Sequence, residues 1–330
     1  MIFLARRLVY RGAQSLAPTR TSACGLWFAK LWLRNPNMYH TINAGLLQVA
    51  YHDRGPRLGP AVVLLHGFPY SVQAYTDVSP RLTHAGCRVL TPYLRGFGPT
   101  RFLHADTPRS GQQAALAVDL LALMDALELP SAVLAGYDWG GRAACILAAL
   151  HPERVRGLVS GNGYNIQNIA AAKQPQSPEN ELRLWYQYYL HGARGAAGLA
   201  QNREAFCKLL WQQWSPHWQF DDVTYAQSAA AFDNPDFVEV VVHSYRHRFG
   251  LVAGDPALDG WERALAAQPR IGVPTIAIDG AGDGVMALGG SASHQHQFTG
   301  PYAHRVLPVV GHNLPQEAPT DFAAAVLDLL

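Results

Sequence analysis

The stretch Val133–Arg142, "VLAGYDWGGR", decides the fold of this chain. A short apolar run typical of a buried strand leads directly into a helical pattern, "GGRAACILAALHPER", at residues 140–154. Gly136, Asp138 and Gly140 form a Gly-x-Asp-x-Gly motif at the junction. A strand that turns sharply into a helix crowds the neighbouring backbone, so the flanking positions favour residues without a side chain. This context is that of a nucleophile elbow with an aspartate at its centre, although the motif alone also fits an aspartate that caps the following helix.

Short apolar runs alternate with helical patterns along most of the chain. The runs are "LLQVAYH", "AVVLLHG", "CRVLTPY", "SAVLAGYD", "VRGLVSGNG" and "VPTIAIDG". Residues 112–129 place Ala, Leu and Met at intervals of three and four, which predicts a crossover helix packed on a sheet. The closing "HRVLPVVGHNLPQEAPTDFAAAVLDLL" predicts a last strand, a loop and a terminal helix. This rhythm predicts an α/β fold with a mainly parallel sheet flanked by helices.

The alternation stops after Asn162, and a segment rich in Trp, Tyr, Gln and Arg follows. We interpret it as an inserted helical cap, with helices expected in "ENELRLWYQYYLHGA", "NREAFCKLLWQQW" and "NPDFVEVVVHSYRHRFG". The run "VEVVV" fits a strand equally well by propensity. The predicted organisation is an N-terminal extension, a first core part, the cap and a second core part, at residues 1–37, 38–163, 164–267 and 268–330.

The N-terminal extension differs from the rest of the chain in charge. It has no Asp or Glu, and its basic residues are Arg6, Arg7, Arg11, Arg20, Lys30 and Arg34. An arginine-rich, acid-free leader fits a targeting segment, but the arginines interrupt the apolar stretch that a secretory signal needs. We expect either a disordered tail or a mis-annotated start, with Met38 as the first residue of the enzyme proper.

The composition is that of an ordinary globular protein. Hydrophobic residues make up 49% of the chain, charged residues 15%, and the net charge is +2, which argues against a disordered chain and against a nucleic-acid partner. The four cysteines form neither a CxxC nor a Cys/His pattern, so we expect no metal and a reducing, cytoplasmic location. No Gly-rich phosphate motif follows a strand and no run has the length of a membrane span, so neither a nucleotide cofactor nor a span is expected. A homodimer is left open.

Two further residues complete a possible triad with the aspartate of the elbow. "TIAIDGAGDGV" offers Asp283 after one predicted strand, and "VVGHNLPQEAP" offers His312 after the next. The chain order Asp138, Asp283, His312 matches the order of nucleophile, acid and histidine in α/β hydrolases. Taken singly, Asp283 fits a turn residue and His312 a helix cap. Their coincidence in this order predicts a catalytic triad.

The loop "LLHGFP" follows an earlier apolar strand. This is where such folds place the backbone N–H groups that stabilise an oxyanion. We expect the backbone amides of Phe68 and Trp139 to be the two donors.

Together these motifs resemble the α/β-hydrolase superfamily, and within it the branch with an aspartate nucleophile: epoxide hydrolases and haloalkane or haloacetate dehalogenases. The resemblance covers about residues 38–330. It implies an α/β-hydrolase fold and a reaction that needs only water as a second substrate. One departure is Tyr93 in "PYLRGFGPT", where the family commonly has Asp, and this position lies outside the predicted catalytic set.

An aspartate nucleophile suits attack on a saturated carbon. A carboxylate is already ionised at neutral pH, so the histidine is free for a later step. A serine would form an ether that water does not cleave, whereas an aspartate forms an ester that hydrolyses. We therefore expect His312, oriented by Asp283, to activate the water that attacks the Asp138 ester.

Epoxide hydrolases resemble one another in two cap tyrosines, of which the first is followed by Gln ("YQ") and the second by Arg ("YR"). Tyr186 precedes Gln187 here, and Tyr245 precedes Arg246. The resemblance implies that Tyr186 and Tyr245 hold the epoxide oxygen and protonate it, although aromatic residues in a cap also serve for packing. The aromatic cap suggests a lipophilic substrate. The other residues that we expect to contact substrate are His66, Trp185 and Gln187.

Dehalogenases fit less well at specific positions. Many haloalkane dehalogenases resemble one another in the motif "HGNP" in the loop that corresponds to "LLHGFP". This chain has Phe68 at the position of the asparagine. Haloacetate dehalogenases resemble one another in "DRGGR" at the elbow, where two arginines hold the carboxylate of the substrate. Here Trp139 replaces the first arginine and only Arg142 remains, so such a carboxylate site would be incomplete. Arg246 or Arg248 is a candidate substitute, but Arg142 fits a structural ion-pair partner more simply.

We therefore predict an epoxide hydrolase that converts a lipophilic epoxide to a vicinal diol, with a dehalogenase as the alternative. A noncatalytic ligand-binding α/β hydrolase is a further alternative. Such proteins often show a broken triad or oxyanion loop, and this chain shows neither.

Overall fold

The computed structural model describes residues 39–286 and 290–330. The predictions for the extension at residues 1–37 therefore lie outside the described residues. Of the described cysteines, Cys87, Cys145 and Cys207 are buried free thiols. No helix in the described part of the chain is long and apolar enough to cross a membrane.

A nine-stranded sheet runs through the described residues. Strands β1–β9 span His40–Ala44, Leu47–Arg54, Ala61–Leu65, Arg88–Pro92, Arg101–Phe102, Ala132–Gly136, Val155–Gly161, Thr275–Gly280 and Tyr302–Leu307. Their order is β1-β2-β4-β3-β6-β7-β8-β9, with the short β5 paired to β2. Pairing is antiparallel at β1, β2 and β5 and parallel from β4 to β9, so the predicted mainly parallel sheet is confirmed. Strands β4 and β6 are buried along their whole length, which explains their unbroken apolar runs.

Helices cover the sheet and fill the insertion. Helices α1–α12 span Val78–His84, Gln113–Ala126, Asp138–Leu150, Pro178–Arg183, Trp185–His191, Ala193–Trp214, Asp222–Ala229, Phe237–His247, Asp259–Ala266, Gly290–Ser293, Leu314–Glu317 and Pro319–Leu327. Helix α2 packs against α3, and α1 packs against α12. The predicted crossover helix corresponds to α2, and the predicted terminal helix to α12.

The segment between β7 and β8 is helical, as expected of a cap. Helices α4–α9 lie within residues 164–267. The ambiguous run "VEVVV" belongs to α8, not to a strand. Val240, Val241 and Val242 are buried there, and burial of this face outweighs the small helix penalty of β-branched residues. Helices α7 and α9 are not among the expected helices.

The junction of β6 and α3 is packed so closely that it excludes side chains. A Cβ added at Gly140 would lie 2.0 Å from the carbonyl oxygen of Leu65, and one at Gly136 would lie 2.7 Å from the carbonyl carbon of Gly140. The first turn of α3 therefore rests directly on the end of β3. The contact with β3 explains Gly140, and the contact within the turn explains Gly136, as the sequence predicts.

Gly140→Ala is expected to destabilise the fold by about 3 kcal/mol or more, because the added methyl group meets backbone that cannot rotate away. Urea denaturation followed by circular dichroism measures the change. The matched control is Gly260→Ala in α9, where an added Cβ has open space. That variant is expected to gain up to about 1 kcal/mol from helix propensity. A Gly140→Ala protein as stable as the parent would contradict the packing described.

Candidate active site

Asp138 lies at the turn from β6 into α3, where its φ is 50°. This left-handed conformation is uncommon for residues other than glycine and marks a strained turn. The carboxylate oxygen Oδ1 accepts a hydrogen bond from the Phe68 backbone N–H at 2.7 Å. The loop after β3 can approach this closely because Gly67 has no side chain. A Cβ at Gly67 would lie 2.5 Å from Asp138 Cβ. One oxygen of the carboxylate is thus held by the predicted Phe68 donor.

The second predicted donor, the Trp139 backbone N–H, lies in the first turn of α3. The first N–H groups of a helix have no acceptor within the helix, so this amide is suited to bind an oxyanion. Its role in an oxyanion hole stays a prediction.

His312 and Asp283 are joined by a short hydrogen bond. His312 Nδ1 lies 2.7 Å from Asp283 Oδ2, and both side chains are almost fully buried. His312 Nε2 lies 3.8 Å from Asp138 Oδ2, which is too long for a hydrogen bond. Because Nδ1 donates to the carboxylate, Nε2 is the nitrogen that faces the nucleophile. The structure brings together all three members of the predicted triad.

Asp283 is itself held by groups that the sequence analysis did not identify. Its Oδ1 accepts from the backbone N–H groups of Val285 and Met286 at 2.8 and 2.9 Å. Its Oδ2 also accepts from Asn162 Nδ2 at 3.1 Å. Asn162 directly follows β7 with a φ of 66°. Its position just after the end of a parallel strand was the available signal, because functional side chains collect at that edge of a sheet.

The charges of the triad stabilise one another. Burial by itself lowers the pKa of His312, but the negative charges of Asp283 and Asp138 outweigh it and raise that pKa to about 10. Burial likewise tends to raise the pKa of Asp138, but the neighbouring His312 and the charge of Arg142 leave it below its usual value. At neutral pH the resting site therefore holds an ionised aspartate beside a protonated histidine.

The two predicted tyrosines come together beside this triad. The rings of Tyr186 and Tyr245 are 5.3 Å apart, and both side chains are buried. Burial raises the pKa of Tyr186 to about 12 and that of Tyr245 well above its ordinary value. The Tyr186 hydroxyl accepts a hydrogen bond from Gln187 at 2.9 Å, and the Tyr245 hydroxyl has no protein partner among the described residues. Both hydroxyls are therefore protonated at neutral pH, as proton donors must be.

A cavity of about 540 Å³ opens onto Asp138, His312 and Tyr186. Its lining is mixed. The polar and charged residues that line it include Arg142, Asn162, Asn165, Gln167, Gln187 and Arg248, and the apolar ones include Ile166, Leu184, Phe249, Val285 and Met286. Trp211, Trp214 and Tyr225 are buried in the hydrophobic core. Much of the aromatic content that suggested a lipophilic substrate therefore serves packing.

The three residues expected to contact substrate are placed differently. Gln187 lines the cavity. His66 is fully buried, and its ring nitrogens contact the Gly67 carbonyl at 2.9 Å and the Leu94 N–H at 3.2 Å. Burial lowers the pKa of His66 to about 4, so the ring is neutral and braces the loop after β3. The indole N–H of Trp185 donates to Gln213 at 2.9 Å, and its ring packs against Phe206. His66 and Trp185 thus act as structural residues, not as substrate contacts.

The expectation of an ion pair for Arg142 is wrong for the described residues. Arg142 has no carboxylate oxygen within 4.0 Å among residues 39–286 and 290–330, and its Nε donates to the Asn165 carbonyl at 3.3 Å.

In the same residues, no group of three or more His, Cys, Asp or Glu side chains is placed to hold a metal ion.

Asp283→Asn is expected to lower the pKa of His312 from about 10 towards or below its ordinary value, because the largest effect that raises it is removed while burial remains. NMR titration of protein labelled at histidine measures the change. Asp328→Asn, which removes an exposed carboxylate paired with Arg305, is the control and should leave the His312 pKa in place. An unchanged pKa in Asp283→Asn would show that Asp283 does not control the histidine.

Comparison with known proteins places this chain in a family. The chain matches the α/β-hydrolase fold family over residues 60–319. It is 30% identical over 257 residues to a haloalkane dehalogenase from Mycolicibacterium paratuberculosis, across 76% of each chain. It is 33% identical over 144 residues to epoxide hydrolase B from Mycobacterium tuberculosis, across 40% of each chain, which is less than half of that enzyme's length. A solved structure from Klebsiella pneumoniae, described as a candidate epoxide hydrolase, is 50% identical with a TM-score of 0.87, across 89% of this chain and 97% of that one. This chain belongs to the α/β-hydrolase fold family.

Proposed function

We propose that this protein is an epoxide hydrolase that forms an alkyl-enzyme ester on Asp138 and hydrolyses it to release a vicinal diol. The observation that carries the proposal is that Tyr186 lines the same cavity as the ionised Asp138, whose Oδ1 is already held by an amide, and that the Tyr245 ring lies 5.3 Å from the Tyr186 ring. The names of the relatives from Mycobacterium tuberculosis and Klebsiella pneumoniae support the same activity.

In the first step, Asp138 Oδ2 attacks a ring carbon, because Oδ1 is occupied by the Phe68 amide. A carbon–oxygen bond forms to the enzyme, and the bond from that carbon to the ring oxygen breaks. The ring oxygen takes the electron pair and a proton from Tyr186 or Tyr245. An alkoxide is far more basic than a phenolate, so this proton transfer is favourable even with the tyrosine pKa values raised by burial.

In the second step, His312 activates water. Formation of the ester removes the negative charge of Asp138, which is one of the effects that raise the His312 pKa. His312 then loses its proton, which replaces the one that the tyrosine gave. Neutral His312 accepts a proton from water as the water attacks Asp138 Cγ. The oxyanion forms at Oδ1, where the Phe68 amide and, in our proposal, the Trp139 amide stabilise it. Collapse breaks the bond between Cγ and the ester oxygen, and the departing oxygen takes the second proton of the water. The diol is released, and the carboxylate and the protonated histidine are restored.

Haloalkane dehalogenation is the second candidate, supported by the relative from Mycolicibacterium paratuberculosis. A halide needs weak N–H donors and no proton. The indole N–H groups of Trp139 and Trp214 are buried without a protein partner among the described residues, and they would suit a halide. The same nucleophile, histidine and water would serve this reaction.

Replacing both tyrosines by phenylalanine separates these two activities. The double variant Tyr186→Phe/Tyr245→Phe is expected to lose about a hundredfold or more in diol formation from an aryl epoxide, because no acid remains to protonate the alkoxide. Gas chromatography of diol and an ion-selective assay of halide from a bromoalkane are the measurements. Tyr189→Phe, on the same helix as Tyr186, is the control and should keep its diol-forming rate.

Two outcomes would contradict this assignment. Diol formation at full rate by the double variant would remove the tyrosines from the mechanism. Halide release by the parent protein without any diol would make dehalogenation the function.

His312→Gln is expected to stop the reaction after the first step, because no group remains to activate water. Incubation with an aryl epoxide should then leave a stable adduct whose mass equals that of the epoxide, located by mass spectrometry on the peptide that contains Asp138. The further variant His312→Gln/Asp138→Asn should carry no adduct. An unmodified Asp138 peptide in His312→Gln, under conditions where the parent protein makes diol, would refute the covalent route.

A further inference from the structure

The loops that carry the acid and the histidine of the triad both contact the end of cap helix α6. The Trp214 carbonyl accepts from the backbone N–H of Gly284 at 2.9 Å and from that of His312 at 3.2 Å. The Trp214 ring lies 5.2 Å from the His312 ring. A Cβ added at Gly311 would lie 2.5 Å from Ser215 Cα. The end of α6 therefore lies between the loops after β8 and β9, and the cap forms part of the support of His312.

Two side chains bind three consecutive backbone N–H groups around the histidine. Glu317, at the end of α11, accepts from the Gly311 N–H through Oε2 at 2.7 Å and from the Asn313 N–H through Oε1 at 3.1 Å. Ser215, directly after α6, accepts from the His312 N–H at 3.1 Å and donates its hydroxyl to Glu317 Oε1 at 2.6 Å. The Ser215–Glu317 pair thus joins the cap to the histidine loop.

No ion pair accounts for the carboxylate of Glu317. Among residues 39–286 and 290–330, no Lys, Arg or His nitrogen lies within 4.0 Å of it. Burial raises the pKa of Glu317, which means that removal of this charge from water costs free energy. Its hydrogen bonds from the histidine loop and from Ser215 offset part of this cost. The carboxylate therefore serves this loop, because both of its oxygens accept from it.

The imidazole of His312 depends on the position of its own backbone. Its Nδ1 donates to Asp283 at 2.7 Å, whereas its Nε2 is buried without a protein partner among the described residues. A ring bonded at one nitrogen directs the other nitrogen according to where its backbone lies. The loop before it contains Val309 with a φ of 65°, a strained value for a β-branched residue. Strained backbone persists only where surrounding contacts hold it, and the Ser215–Glu317 pair supplies such contacts.

We propose that Ser215 and Glu317 are positioning residues that keep His312 Nε2 aligned for hydrolysis of the Asp138 ester. This inference rests on the proposed function. Asp138 attacks the epoxide without using His312 as a base, so a displaced histidine leaves ring opening intact. Water attacks the ester only where Nε2 takes its proton, so the same displacement slows the second step. The end of α6 thereby gives the cap an influence on ester hydrolysis.

Steady-state kinetics with an aryl epoxide distinguishes positioning from a general loss of structure. Glu317→Gln keeps the shape of the side chain but turns an amide NH₂ group toward a backbone N–H that Glu317 binds. Its kcat is expected to fall by about tenfold or more, because displacement of a catalytic group is costly. Its kcat/KM should be unchanged, because this ratio reports the steps up to the first irreversible one, ester formation, so KM falls with kcat. Loss of folded protein would instead lower kcat and kcat/KM together.

Ser215→Ala is the second variant, because it removes one hydroxyl and introduces no new atom. Both side chains belong to one hydrogen-bond network, so the double variant Ser215→Ala/Glu317→Gln should lose little more than Glu317→Gln alone. Glu262→Gln is the matched control. Glu262 is also a partly buried carboxylate that accepts from a backbone N–H, that of Ala114, but it lies outside the loops of the triad. This control should keep both kcat and KM.

NMR of protein labelled at histidine tests the positioning role without substrate. The Nδ1 proton signal of His312 is expected to shift or broaden in Ser215→Ala and Glu317→Gln and to stay in place in Glu262→Gln. That result supports the inference even if the parent protein opens no epoxide, so a failure of the proposed function is distinguishable. Unchanged His312 signals together with an unchanged kcat in both variants would overturn the inference. Equal losses of kcat and kcat/KM in Glu317→Gln, with unchanged His312 signals, would also overturn it.

Discussion

The contact between the first turn of α3 and the end of β3 is the constraint on which the site depends. Gly140 lies so close to Leu65 that no side chain fits between them, and a Cβ at Gly67 would lie 2.5 Å from Asp138 Cβ. These approaches place the Phe68 amide 2.7 Å from Asp138 Oδ1. One oxygen of the carboxylate is thereby held by an amide, which leaves Oδ2 as the oxygen for the proposed attack. Hydrogen-bond donors that are fixed in place before the reaction supply much of the electrostatic stabilisation of transition states in enzymes.

A reaction in this buried site also requires that its ionisable groups carry the right charges. Asp283 keeps His312 protonated and in a fixed orientation, and that positive charge keeps Asp138 ionised. In the proposed mechanism, ester formation removes the negative charge of Asp138, so His312 becomes able to act as a base in the next step.

The sequence predicted the parts of the structure that are set locally. Unbroken apolar runs identified the buried strands, and Gly136, Asp138 and Gly140 identified the elbow because a sharp turn needs small residues at fixed spacing. Chain order was enough to propose Asp283 and His312, which the fold brings within 2.7 Å. The support of Asp283 by Asn162 was missed, because it joins residues 121 positions apart.

The remaining wrong predictions concern side chains whose contacts in the folded protein the sequence does not reveal. His66 and Trp185 are neighbours of site residues along the chain, but their polar groups are used by the backbone and by Gln213. We predicted a structural ion pair for Arg142, and only the three-dimensional arrangement shows that it lines the cavity without a carboxylate within 4.0 Å among the described residues. The strand propensity of "VEVVV" was overruled by burial of its helical face in the cap.

The most direct measurement follows the oxygen that enters the product. A single turnover of an epoxide is run with excess enzyme in water labelled with oxygen-18, and diol and protein are analysed by mass spectrometry. Our account predicts an unlabelled diol, whose new oxygen comes from Asp138, and a label of one oxygen on the peptide that contains Asp138. A diol that carries the label, with an unlabelled Asp138 peptide, would show that water attacks the epoxide directly and would contradict the account.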